Sequence, residues 1–145
     1  MKCISIRQPW AWLICQGVKN VENRTWKTLY RGELAIHASQ KFDWGFFDLE
    51  SQFFDRAMVL VCEHFGIGAR ERITAAQHEF SAVVGSVELV DIITADKKTV
   101  SNWCADGGYW WLLANPKNAI KPFPCKGKLN IWNIDIPDGF MKSLI

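Results

Sequence analysis

The chain has 145 residues, a formal net charge of +2, 49% apolar and 22% charged residues, values that fit one folded domain spanning 1–145 and exclude a disordered or fibrous chain. Its longest apolar stretches, such as 58–62 and 109–114, are far too short to span a bilayer, and charge returns at Arg7, before a secretion signal could form, so no membrane association and a cytoplasmic location are expected. Five cysteines without a C-x-x-C pair read as reduced, buried thiols, and three histidines without metal-ligand spacing give no reason to expect a metal or another cofactor.

Residues 2–6 alternate and read as a strand. Gln8-Pro9 then turns the chain, with Pro9 suited to the first position of a helix whose apolar face is Trp10, Leu13 and Ile14, and Gly17 suited to a left-handed cap. Strands are expected at 20–25 and 34–38, joined through a turn at Tyr30-Arg31-Gly32-Glu33. From Asp43 the period changes: Phe46, Leu49, Phe53, Ala57, Leu60 and Val61 recur at three- and four-residue steps, predicting the longest helix, which ends near Gly66. Its acids, including Asp48 and Glu50, suit a solvated face that could also dock a protein partner. A second short helix is expected from Thr74. Residues 82–95 predict a strand bent or bulged at Gly85, 109–114 a strand broken by Asn115-Pro116, and 129–136 a last strand after a Lys126-Gly127-Lys128 turn. The pattern predicts an α+β fold, a small mixed β-barrel with inserted helices.

Charge divides along the chain. Residues 1–42 carry seven Lys or Arg against two acids, 43–96 three against ten, and 97–145 seven against three. If the outer thirds lie side by side they build one basic face suited to phosphates. Seven of the eight tryptophans also lie in those thirds, an interleaving of rings and cations that suits single-stranded nucleic acid or an unstacked base. For most of them the competing expectation is plain core filling.

The densest polar run is Gly17 to Trp26, G-x-K-x-x-E-x-R-x-W. On a strand, Glu22 and Arg24 share a face, with Lys19 near its mouth. Lys19 or Arg24 could hold a phosphate or base edge while Glu22 accepts from a base amino group or ribose hydroxyl.

This run, together with Ser5-Ile6-Arg7-Gln8-Pro9-Trp10-Ala11, Tyr30-Arg31-Gly32 leading to Ile36-His37-Ala38, Gly85-Ser86-Val87 and Lys126-Gly127-Lys128-Leu129-x-Ile131-Trp132, resembles the ASCH domain, in matching order from Ser5 to about residue 134. The sequence is most similar to the branch found as the C-terminal domain of a eukaryotic transcription coactivator. The resemblance implies a PUA-like barrel that binds RNA, DNA or a modified nucleotide in a basic cleft lined by Gly17, Lys19, Glu22 and Arg24. Gln8, Trp10, Trp26, Arg31 and His37, from the same motifs, complete the candidate nucleotide-binding set, with Trp10 or Trp26 to stack. An alternative function is a hydrolase of an acylated or modified nucleoside, or of RNA, with Lys19 and Glu22 as catalytic candidates. In the branch that deacylates cytidine, a Thr nucleophile follows the Lys by three residues; here Glu22 stands in that position, and a carboxylate does not replace an activated hydroxyl. For a ribonuclease, Lys19, Tyr30 and His37 are conceivable acid and base, although a histidine at a strand end is more often structural.

Overall fold

The computed structural model describes residues 1–44, 52–74, 78–96 and 98–144. Strand β1 (Lys2–Gln8) runs into helix α1 (Trp10–Cys15), followed by β2 (Val21–Arg24) and the long β3 (Gly32–Phe42). Helices α2 (Gln52–Phe65) and α3 (Ala69–Arg72) precede β4 (Ala82–Thr94), β5 (Tyr109–Pro124) and two short strands, β6 (Ile131–Asn133) and β7 (Met141–Ser143). No helix among the described residues is long and apolar enough to cross a membrane.

Local chemistry sets the first turns. Pro9 cannot cap α1 with a side chain, and Gln8 does so instead: its Oε1 accepts the Trp12 amide at 2.9 Å while its Nε2 donates to the Glu79 carbonyl at 3.0 Å. Ala11, Leu13, Ile14 and Cys15 bury the other side of this six-residue helix. It ends at Gly17, whose φ of +76° lets the Val18 and Lys19 amides both return to the Leu13 carbonyl, at 3.1 Å each. The departure of the chain toward Lys19 is thereby fixed.

The strands form one seven-stranded sheet in the order β2-β5-β4-β3-β1-β6, with β7 also on β5. Among the described residues only β1 and β3 pair in parallel. Leu34, Ile36, Ala38, Val87 and Leu89 bury one face against α1 and the Trp110–Trp111 pair, while Cys3, Ala35 and Val83 bury the other under Phe123 and Trp132. Alternation along β3, and on β4 the register shift between Val83 and Gly85 that turns Val83 away from the face of Val87 and Leu89, feed two clusters, one on each face.

Several expectations are corrected. The sheet is not closed into a barrel: its path ends at β2 and β6, and no ladder joins β2 to β1. The outer edge of β1 is divided, with Lys2, Cys3 and Ile4 paired to β6 and the edge beyond them left open toward β2. Asn115-Pro116 does not break the strand. Glu88 pairs with Ala114 and Ser86 with Lys117, so Asn115 (φ +48°) and Pro116 fall in a bulge, where a missing N–H is no loss. The bend expected at Gly85 is present as a register shift between Val83 and Gly85, and a Cβ there would run into the Lys117 carbonyl and Cys15 Sγ. A short helix lies at Ala69–Arg72, entered through Gly68 (φ +87°), and Thr74 Oγ1 bonds back to the Glu71 carbonyl beyond its end; the helix expected from Thr74 onward falls on 75–77, outside the described residues. The last strand shrinks to Ile131–Asn133, and Met141–Ser143 adds a strand that no alternation announced. The acidic start of the long helix, including Phe46, Asp48, Leu49 and Glu50, lies outside the described residues, and with it the expected docking face.

Candidate functional site

The seam between β1 and β2 gathers the candidate residues Lys19, Glu22 and Arg24. Arg24 bridges it, donating from Nη2 to the Ser5 carbonyl at 3.1 Å. Glu22 and Arg24 do share a face, with Glu22 Oε2 3.0 Å from Arg24 Nη2, and Glu22 Oε1 receives Lys19 Nζ at 2.7 Å. Lys19 lies at the floor, not the mouth: it is 2% exposed and also donates to the Val21 carbonyl at 2.6 Å. Burial pushes the Lys19 ammonium below the ordinary lysine value, and Glu22 opposes that without cancelling it. Burial would raise the Glu22 carboxyl, but Lys19 and Arg24 outweigh it and hold the group below the usual carboxylate range. A carboxylate that acidic, with both oxygens engaged, is a weak proton acceptor; it is suited to fixing two cations and argues against service as a general base.

Around this triad lies a cavity of about 560 Å³ lined by Ser5, Arg7, Trp10, Asn23, Ser39 and Asp43, among others. The volume suits a nucleoside-sized group. Trp10 forms an indole wall: its ring lies 5.7 Å from Lys19 Nζ, packs edge-on to Trp103 at 6.4 Å, and is fixed through Nε1 to Asp43 Oδ2 at 2.9 Å. Two polar groups in the lining are buried and lack a protein partner, Arg24 Nε and Ser39 Oγ. Each is a buried hydrogen-bonding group left unspent by the protein.

The ordered motifs and this geometry meet in one family. The profile of the ASCH domain matches residues 4–123. The chain belongs to the ASCH domain family. Among its relatives are activating signal cointegrator 1 of Homo sapiens, 27% identical over 150 residues, and the protein of the same name from Mus musculus, 28% identical over 150 residues. In both cases the match covers 99% of this chain but 24% of the relative, so this chain spans about a quarter of the length of those proteins.

Within this ASCH domain the candidate residues separate. Trp10, Lys19, Glu22 and Arg24 come together in the seam, while Gly17 shapes the turn behind them, facing Pro116 and Leu144. Gln8 is spent on capping α1 and lines a separate cavity of about 160 Å³ with Trp12 and His78. Trp26 packs edge-on against Trp111 at 4.9 Å and is absent from the cleft lining, so it is core filler instead of a stacking ring there. Arg31 is also elsewhere, paired with Asp91 at 3.3 Å and donating to the Thr28 carbonyl at 2.7 Å. Tyr30 donates its hydroxyl to the Glu33 carbonyl and takes no part in the cleft. Of the tryptophans, Trp10, Trp103, Trp110 and Trp111 are buried, as core filling predicts.

His37 is held on both sides. Its Nε2 lies 2.8 Å from the Cys125 carbonyl, which only accepts, so Nε2 carries the proton; in the neutral ring Nδ1 then accepts the Ser5 hydroxyl at 3.0 Å. Ser5, Arg7, Ser39 and Leu129 line the seam cleft and also a second cavity of about 400 Å³, which adds His37, Lys41, Lys126 and Lys128. Lys41 and Ser39 belong to no motif, and Arg7 and Asn23 stand inside motifs without being chosen as site residues, yet for Arg7, Ser39 and Lys41 a signal exists in the sequence. Ser5 and Arg7 alternate on β1, as do His37, Ser39 and Lys41 on β3, and the parallel register sets Ser5 beside His37.

Proposed function

We propose that this ASCH domain binds nucleic acid by taking a single unstacked nucleotide, of RNA or DNA, into the seam cleft. One observation carries the reading: an open seam of nucleoside size has an indole wall, a buried Lys19–Glu22 pair tied to the partly exposed Arg24, and two unspent polar groups, Arg24 Nε and Ser39 Oγ. A planar base against Trp10 can offer edge donors and acceptors to those groups, a combination of ring and polar contacts that single-stranded recognition uses. A base still stacked in a duplex cannot reach a recessed floor, so single strands, loops or flipped bases are the expected ligands.

Arg24→Lys tests this reading. It keeps the charge and removes the planar fork together with Nε. Lys19→Ala is a poorer choice, since it would unseat Glu22 along with any ligand. The affinity of labelled single-stranded RNA and DNA heptamers, followed by fluorescence anisotropy, is expected to fall about tenfold in Arg24→Lys, the cost of one missing charge-assisted hydrogen bond. Unchanged affinity in a folded variant would remove the cleft as the binding site.

A further inference from the structure

The seam cleft is poorly suited to a phosphate. Glu22 pairs with both Lys19 and Arg24, and with a second carboxylate, Asp43, in the same wall the charges of those two cations are offset. The adjoining cavity has the opposite character. Arg7, Lys41, Lys126 and Lys128 line it, no carboxylate does, and none of the four makes an ion pair among the described residues. Four uncompensated cations around one concavity raise the local potential and draw anions to it.

This convergence is built by the fold. Arg7 comes from β1 and Lys41 from β3, while Lys126 and Lys128 belong to a turn that folds back over these strands. The turn is pinned at both ends of a short span: His37 holds the Cys125 carbonyl, and Gly127 lies so close that a Cβ would be 2.7 Å from His37 Cε1 and 2.7 Å from Ser5 Oγ. With no side chain between them, Lys126 and Lys128 flank the Ser5–His37 pair. The basic outer thirds of the chain thus meet here, two cations from each.

We propose that this second cavity is a phosphate groove, which takes the backbone phosphates next to the nucleotide whose base occupies the seam cleft. The proposal rests on that cleft reading and extends it: the ligand is a single strand, not a free nucleoside. Ser5, Arg7, Ser39 and Leu129 line both cavities, so the two adjoin and a strand leaving one enters the other directly. Ser39 Oγ, buried and unpartnered, stands at that passage.

The experiment measures anisotropy of single-stranded RNA and DNA heptamers from low to high salt with the wild type, the double variant Lys126→Ala/Lys128→Ala, and Arg24→Lys. Both lysines are at least partly exposed, so their truncation leaves the fold intact, which thermal melting checks. Removing one lysine–phosphate pairing lowers the slope of log affinity against log salt by about 0.7 for a single strand, so the double variant is expected to have a slope shallower by about 1.4 and an affinity at least about tenfold weaker at low salt. An unchanged slope and affinity in the double variant, with Arg24→Lys still weakened, would overturn the groove and leave the cleft reading standing. Weaker binding in the double variant with affinity unchanged in Arg24→Lys would keep the cavity as a phosphate site and overturn the cleft. Failure of both heptamers to bind the wild type would overturn both.

Discussion

At the scale of single residues, the sharpest consequence concerns Glu22. It lies between two cations, and removing its charge would leave Lys19 buried without a counter-ion. Uncompensated buried charge is costly, and Glu22→Gln is expected to lower the unfolding free energy by about 3–5 kcal/mol in urea melts; a drop below about 1 kcal/mol would mean that the triad behaves as an exposed pair does. The pH dependence follows from the same ion pairs. Glu22 titrates lower in the folded chain than its ordinary value of 4.5, so the unfolded chain binds the proton first as pH falls. The stability it contributes is complete above that ordinary value and is lost as pH drops through the folded one. Melting temperature from pH 7 to pH 3 is expected to fall more steeply in the wild type than in Glu22→Gln. The period-two spacing of Glu22 and Arg24 made their shared face readable in the sequence. That Lys19 sits beneath them, fully covered, was not readable, because its depth is set by the turn after Gly17 and by the walls that cover it.

At the scale of elements, the Lys126-Gly127-Lys128 turn shows how a motif can be seen without its reason. The sequence marks Gly127 only as turn-forming, whereas the structure makes it a close approach to His37 and Ser5. Gly127→Ala would force those groups apart. The expected cost is about 1–3 kcal/mol, the usual range for overpacking, with weaker heptamer binding as the two lysines are lifted; chemical denaturation and anisotropy on the same sample check it, and wild-type values for both would show that the turn has room. His37 is the post that positions this turn, through its bond to the Cys125 carbonyl; it sits in the middle of β3, not at the strand end that the sequence suggested, and its role is structural all the same. Asn115-Pro116 teaches the converse. Proline normally ends a strand, but opposite Ser86 and Glu88 the ladder skips both residues, and β5 runs on to Pro124, 16 residues in all. A bulge depends on the partner strand, which local propensity does not contain.

At the scale of the whole molecule, stability is expected to be graded. Strands β3 and β4 are flanked by partners on both sides, whereas β6 and β7 have three residues each. Amide hydrogen exchange is expected to be slowest in β3 and β4, through global opening, and much faster in β6 and β7, through local opening; equal protection across the sheet would contradict it. The sequence by itself determined the ASCH family, through several motifs in order, and most of the strands, because alternation and turn residues are local signals. It also determined that cations concentrate in the outer thirds. Only the tertiary structure decided that the sheet stays open between β1 and β2, that the triad fills the seam, and that Arg7 and Lys41 meet Lys126 and Lys128. The physical reason is that closure and convergence depend on register, bulges and the path of a returning turn, which join residues as far apart as Ser5 and Gly127 and leave no period in the chain.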